Sequence, residues 1–352
     1  MLFNIKDFEV GHPLKPYIIA EIGVNHEGEM HLAKRLIREA KEGGAHAAKF
    51  QSYKAEKIAS KHSPAYWDET KEPTGSQFAL FKKYDSFSIE NYIELAEYCN
   101  DLNIDFMSTP FDLEAVTFLE PLMPIYKIAS ADITNVPLLR RCAEQGKPVV
   151  LSTGASSIEE IRFAVNTLRN SGANNITLLH CVLNYPTPLD RAQLGMIDEL
   201  KKEFPDCLIG YSDHVVPDET ISALEVAALK GAVIIEKHFT HDKTLLGNDH
   251  YHAMNKTDLQ AFVKKLEIYQ VLTLGSNKKD LSNEELARMH ARRSIVSKYD
   301  IKKGELFDET NLICKRPAHG ISPIHWDEIV GTRANVDIPE DMHVQWEMIS
   351  RH

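Results

Sequence analysis

Eight short apolar runs, each stopped abruptly by polar or small residues, constrain this chain more than any other feature. They occupy residues 17–23, 47–53, 105–111, 125–130, 148–154, 176–182, 207–213 and 233–239. Most are followed by a stretch of helical periodicity. After the first, Leu32, Ala33, Leu36, Ile37 and Ala40 recur at near-helical spacing over residues 31–43. After the fifth, Ser157-x-x-Glu160 has the form of a capping box and opens a helix that runs to about Arg169. Eight parallel β–α units over about 250 residues is the count of a (β/α)8 barrel. The alternative is an open doubly wound sheet, but no GxGxxG follows the first run. The expected fold class is therefore α/β, a TIM barrel followed by a small, β-rich C-terminal domain.

The expected boundaries follow from where this rhythm breaks. Residues 1–274 hold the barrel. Residues 275–289 turn polar (GSNKKDLSNEELARM) and read as a linker with a short helix. Residues 290–352 form the second domain, a length near the lower limit for an independent core. The second β–α unit carries a long insertion at 55–87, rich in Lys, Ser, Pro and Trp, in the size range of functional loops such as lids.

Composition narrows the function classes. A formal net charge of −11 argues against general nucleic-acid binding. No apolar run reaches membrane-spanning length, and the N-terminal stretch lacks the ordered parts of a signal peptide. Five scattered cysteines without a CxxC suit a reducing compartment, so a cytoplasmic location is expected.

The polar ends of the runs carry the chemistry. In a barrel they all fall at the carboxyl edge of the strands, where such folds place ligands. Ser212-Asp213-His214 ends the seventh run and Glu236-Lys237-His238 ends the eighth. Residues two apart in a strand share a face, so Ser212 points with His214 and Glu236 with His238. Each histidine alone reads first as a packed or supporting residue. Two at matching strand ends, each beside an acid, point to a divalent ion with positions left open. A second possible cluster is His238 with His241, His250 and His252. Lys49, Gln51, Lys127, Ser130, Ser152 and Asp132 stand at or just beyond other strand ends. Lysines that interrupt apolar strands, with serines nearby, suit a phosphorylated and carboxylated substrate. Ser152 and Gly154 are expected at a helix N-terminus, a favourable position for phosphate.

In order and spacing, AEIGVNHEG (20–28), KFQSY (49–53), YKIAS (126–130), LSTG (151–154), HC…YPTP (180–188), GYSDH (210–214) and EKHF (236–239) resemble the N-acetylneuraminate (sialic acid) synthase family. The tail, with IKKGE (301–305) and KRP (315–317), resembles that family's antifreeze-like (SAF) domain. The resemblance implies condensation of phosphoenolpyruvate with an N-acylated mannosamine-type sugar, giving a nine-carbon nonulosonic acid and phosphate. The acceptor would be N-acetylmannosamine or a 2,4-diacetamido-trideoxy sugar. It implies Mn2+ or Mg2+ held by His214 and His238, and Lys49, Gln51, Lys127, Ser130, Ser152 and Ser212 around phosphoenolpyruvate. It makes Glu21 a sugar contact and proton-transfer group, sets Asp132 at the site, and lines the sugar pocket with Tyr185 and Asp249. It also implies a homodimer with exchanged C-terminal domains, Arg316 entering the partner's barrel mouth. Three positions depart from the family pattern: Val182-Leu183 with Asn184 one place late, Asp132, and His319 beside the KRP segment. All bear on which sugar is used. Two other readings are a related synthase acting on a phosphorylated aldose and a catalytically inactive carbohydrate-binding relative.

Overall fold

The computed structural model describes residues 2–65, 67, 69, 72–217, 222–247, 249–273 and 280–350. The chain divides into two compact units, residues 1–273 and 274–352.

The first unit opens with a hairpin, β1 (Phe3–Ile5) and β2 (Phe8–Val10). Eight parallel strands follow: β3 (Tyr17–Gly23), β4 (Ala47–Ser52), β5 (Asp105–Pro110), β6 (Tyr126–Ile128), β7 (Val149–Ser152), β8 (Ile176–Cys181), β9 (Leu208–Asp213) and β10 (Ile234–His238). Around the sheet the order is β5, β4, β3, β10, β9, β8, β7, β6, with β5 and β6 lying against each other. The first barrel strand thus pairs with the last, His238 opposite Glu21. That closure makes the expected (β/α)8 barrel and excludes an open doubly wound sheet.

Strand alternation gives the barrel two cores. Outward residues such as Ile18, Phe50, Leu151 and Ile235 pack beneath the helices. Inward residues divide by height. Low in the barrel, Tyr17, Ile19, Ala47, Met107, Ile125, Val150, Leu179 and Ile234 form an apolar plug, joined by Phe3, Ile5 and Val10 of the hairpin. The next inward residue of each strand towards its carboxyl end is polar or small. The plug therefore becomes the floor of a polar site. The hairpin is absent from the expected elements, because two three-residue strands leave little pattern to read.

Gly210 lies in this inner layer for a steric reason. A Cβ there would stand 2.4 Å from the Ile234 carbonyl oxygen and 2.5 Å from Leu179 Cδ2. Gly210→Ala is expected to destabilise the fold by about 1–3 kcal/mol through overpacking. Urea unfolding checks this: the midpoint should fall with the slope unchanged.

Helix Met30–Gly43 buries Leu32, Ala33, Leu36, Ile37 and Ala40, the periodic residues of the sequence. Helix Ile158–Asn170 carries the expected capping box, with Ser157 accepting from the Glu160 N–H and Glu160 from the Ser157 N–H. That cap bears out Ser157 as the start of the helix and so corrects the placing of Ser152 and Gly154 at its terminus; the Gly154 N–H is donated to Ser130 Oγ at 2.9 Å. Ser152 does not sit at an anion-binding helix terminus.

The second unit holds an antiparallel pair, β11 (Ser294–Ser297) and β12 (Leu312–Lys315). It has its own core of Ile295, Ile301, Phe307, Leu312, Ile321, Ile329, Ala334, Ile338, Val344 and Ile349. Of the expected linker, residues 275–279 lie outside the described residues. Helix Glu285–Ala291 crosses the expected boundary at 289–290.

Candidate active site

The strand register assembles the site. Glu21 lies opposite both His238 and Lys49, and Ser212 opposite both Glu236 and Cys181. These side chains surround a cavity of about 350 Å³ at the carboxyl end of the barrel. Gln51, Lys127, Ser130, Asp132, Ser152, Tyr185, His214 and Asp249 also line it. Arg316, the remaining expected residue, belongs to the second unit. It is exposed and follows β12. Among the described residues it has no hydrogen bond or ion pair.

Two lysines dominate one side. Lys49 and Lys127 are only 2% and 3% exposed. Glu236 lies between them, with carboxylate oxygens 3.4 Å from each ammonium. Lys49 also pairs with Glu21 and donates to Thr109 Oγ1 at 3.0 Å. Ser212 Oγ donates to Glu236 at 2.9 Å, and Gln51 Nε2 to Glu21 at 2.8 Å.

The two carboxylates are driven apart. Burial pushes Glu236 up, but Lys127, Lys49 and the Ser212 hydroxyl outweigh it and bring its pKa down to about 2. Burial likewise raises Glu21; there Lys49 does not fully offset it, and the charge of Glu236 adds to the rise. Glu236 is thus a fixed anion, while Glu21 has more affinity for a proton than an ordinary carboxylate. Such separation is the usual basis for assigning one carboxyl to structure and another to proton transfer. Burial lowers Lys127, and Glu236 only partly restores it. An anion entering beside Lys127 and Lys49 meets cations already held in place by Glu236.

At the ends of β9 and β10 and in the loop after β10 stands a histidine and aspartate cluster. His238, Asp249 and His252 each offer a ligand atom, all within 4.8 Å of one another. His238 Nδ1 is 3.3 Å from Asp249 Oδ2. The rings of His214 and His238 lie 5.4 Å apart, and the Tyr185 ring is 4.1 Å from His214. His214 Nδ1 is 2.8 Å from the Val182 carbonyl, which can only accept, so Nδ1 carries the proton and Nε2 keeps its lone pair. Burial lowers the pKa of His214 to about 4, and lowers that of His238 well below its ordinary value. Both are neutral at physiological pH, the form that binds metals. Asp249 is raised to about 7, by burial first and then by the charge of Glu21.

Of the second expected cluster, only His252 joins His238. His250 bonds Thr240 Oγ1 and lies 3.5 Å from Glu27, and its ring is 6.1 Å from that of His241.

Ser152 Oγ is buried without a hydrogen-bond partner, an available donor in the cavity wall. Asp132 is raised by burial and held by the Asn135 side chain at 3.0 Å. Leu183 lines the cavity, whereas Asn184 is not among the described lining residues. The insertion after β4 supplies a wall of Trp67, Glu72, Gln77, Leu80, Phe81 and Tyr84. Its helix Gln77–Tyr84 is capped by Ser76.

Glu236 is absent from the residues expected for the site, and His252 was expected only as part of the second cluster. The parity of EKH showed that Glu236 faces inward with His238. Only the closed ring shows that it stands between two lysines from distant strands. His252 stands fourteen residues after His238, the last residue of β10, where parity no longer guides.

A closed parallel barrel, buried lysines and a ligand-bearing histidine cluster at one rim together describe an enzyme of the barrel class. Residues 36–279 match the NeuB family and residues 292–350 the SAF domain. This chain belongs to the NeuB family. It is 40% identical to N,N'-diacetyllegionaminic acid synthase of Campylobacter jejuni, over 93% of this chain and 98% of that protein. It is 34% identical to N-acetylneuraminate-9-phosphate synthase of Homo sapiens, over 97% of this chain and 94% of that protein. The crystal structure of N-acetylneuraminic acid synthetase from Leptospira borgpetersenii superposes with a TM-score of 0.71 at 33% identity, covering 82% of this chain and 95% of that one. The family resemblance read from the motifs therefore holds, and the chain is an enzyme of the nonulosonic acid synthase family.

Proposed function

We propose that this chain condenses phosphoenolpyruvate with an N-acylated mannosamine-type sugar, N-acetylmannosamine or a 2,4-diacetamido-trideoxy relative, to give a nonulosonic acid and phosphate. The observation that carries this reading is the pair of buried lysines, organised by Glu236, lining one cavity together with His214, His238 and Asp249. Lys49 and Lys127 bind the phosphate and carboxylate, with Gln51, Ser130, Ser152 and Ser212 as neutral donors or supports. Tyr185, Asp132 and Asp249 face the sugar.

The donor set fits a divalent ion. His238, Asp249 and His252, with the Nε2 of His214 nearby, are imidazole and carboxylate donors, a mixed nitrogen and oxygen set that fits a divalent transition ion such as Mn2+ better than Mg2+, which prefers oxygen. When bound, the ion supplies a Lewis acid for the aldehyde oxygen. The chain's residues account for the rest. The lysines hold phosphoenolpyruvate so that its enol carbon faces the aldehyde carbon, and the C–C bond forms between them. Glu21, raised by burial, is placed to give or take a proton at the aldehyde oxygen or the attacking water. Water adds to the carbon bearing the phosphate ester. The C–O bond to phosphate then breaks, leaving the keto acid.

The division of labour follows the expected boundaries: 1–274 catalytic barrel, 275–289 linker, 290–352 antifreeze-like domain. The assembly is a homodimer in the cytoplasm, with Arg316 delivered to the partner's barrel. No helix among the described residues is long and apolar enough to cross a membrane.

Phosphate release from phosphoenolpyruvate tests the reaction, with Mn2+ and each of N-acetylmannosamine, its 6-phosphate and 2,4-diacetamido-2,4,6-trideoxymannose. Release with one of the unphosphorylated sugars, absent without sugar, is expected. Release with the 6-phosphate alone, or with none, would overturn the reading. Lys127→Met is expected to lower kcat/KM for phosphoenolpyruvate by at least about tenfold, the value of a charge-assisted hydrogen bond. Unchanged kinetics would remove Lys127 from the anion site.

A further inference from the structure

Behind the histidine wall lies a buried ion pair that the reaction does not use. Lys237 and Asp213 are 1% and 3% exposed. They are register partners on β10 and β9 and face away from the cavity, since their neighbours Glu236, His238 and Ser212 line it. Lys237 Nζ donates to Asp213 Oδ2 at 2.7 Å and to the Val215 carbonyl. Asp213 Oδ1 accepts from the Tyr211 hydroxyl at 2.7 Å and from the Val215 N–H at 2.9 Å. His214 therefore sits between two residues that are both tied to Lys237. Its own carbonyl accepts from the Thr187 N–H at 2.9 Å.

Stability alone is a poor reason for this arrangement. Burying two charges costs several kcal/mol per ion, and well-packed apolar replacements of such pairs are often neutral or stabilising. What an apolar pair lacks is direction. The ammonium must meet a carboxylate and a carbonyl at once, which leaves little freedom for β9 to slide or tilt against β10. Each member of the pair is flanked in sequence by two cavity residues, so a small shift would move Ser212, His214, Glu236 and His238 together.

We propose that Asp213 and Lys237 are positioning residues that pin the ends of β9 and β10, so that His214 and His238 stand ready to share one divalent ion. The inference rests on the metal reading of the site, and the test separates the two. Removing one charge alone would strand the other. The double variant Asp213→Asn/Lys237→Met removes both. Its asparagine can still accept from the Val215 N–H. Mn2+ binding to the folded, metal-free full chain is measured by calorimetry, beside thermal unfolding. The double variant is expected to melt near the parent and bind Mn2+ about 10–100-fold more weakly, the range for loss of a group that orients metal ligands. Tyr211→Phe, which removes only one bond to Asp213, is expected to weaken binding in the same direction by a few-fold. It serves as the measurement should the double variant not fold. His238→Ala is the reference. If it binds Mn2+ as tightly as the parent, the metal reading falls. If it loses binding while the double variant, or Tyr211→Phe in its place, keeps the parent affinity, the positioning role is overturned and the metal reading stands.

Discussion

Turnover by the His238→Ala chain is expected to fall by at least about 10³-fold, because a Lewis-acidic ion contributes several kcal/mol of charge stabilisation to the reacting oxygen. His238 is the natural choice, since it neighbours His214 on one side and belongs with Asp249 and His252 on the other. The fold should survive, because the ring lines a cavity and supports no packed layer. Assays with added Mn2+, and circular dichroism to verify folding, check both halves. Activity near the parent's would remove His238 from the metal site. The same site has a definite pH response. The pKa of Asp249 is raised to about 7 in the metal-free chain, so below that pH its carboxyl is protonated. Proton and metal then compete for one group. Mn2+ affinity should increase with pH up to about 7 and level off above it. Calorimetry in buffers of different ionisation enthalpy should show close to one proton released per ion near pH 6. Affinity flat across pH 5–7 would mean that Asp249 is not a ligand.

The second large effect is a recovery. Arg316 is exposed and has no partner among the described residues of its own chain. Its guanidinium can grip hydroxyls or an acyl oxygen through a rigid fork of donors and keeps its charge at any working pH. If it serves the neighbouring barrel, a His214→Ala chain and an Arg316→Ala chain should each be inactive or nearly so alone. Mixed, they form some dimers in which one barrel has an intact His214 and receives an intact Arg316. Activity should return to about a quarter of the parent's after statistical exchange, given half heterodimers with one complete site each. No recovery, with exchange verified by mass spectrometry, would mean that the tail serves its own barrel or none.

Much of this architecture was legible in residues 17–239. The eight runs match the barrel strands to within about two residues at each end, because a strand buried on both faces is marked by where its apolar character stops. Parity then showed which residues at each strand end face inward, as with Ser212 and His214. What it could not show was company. Glu236 read as one acid in a row, and its place between Lys49 and Lys127 depends on three strands that only barrel closure brings together. His252 and Asp249 lie in a loop whose path follows no period. The helix start was legible as well, since Ser157 with Glu160 marks it; the error was to count Ser152, five residues earlier, as part of that terminus. The hairpin at residues 3–10 was too short to register at all.

That hairpin has a kinetic consequence. With Phe3, Ile5 and Val10 sealed into the plug, the reaction chamber is a blind alley. Under the proposed condensation, two reactants would arrive and two products depart by the same mouth, so traffic would have to queue. A reactant seated against Lys49 and Lys127 is walled in by whatever follows it. Phosphate left at the lysines would obstruct the next phosphoenolpyruvate, so inorganic phosphate should inhibit in direct competition with that substrate. How fast such a chamber works is then set as much by the order of leaving as by the chemistry inside.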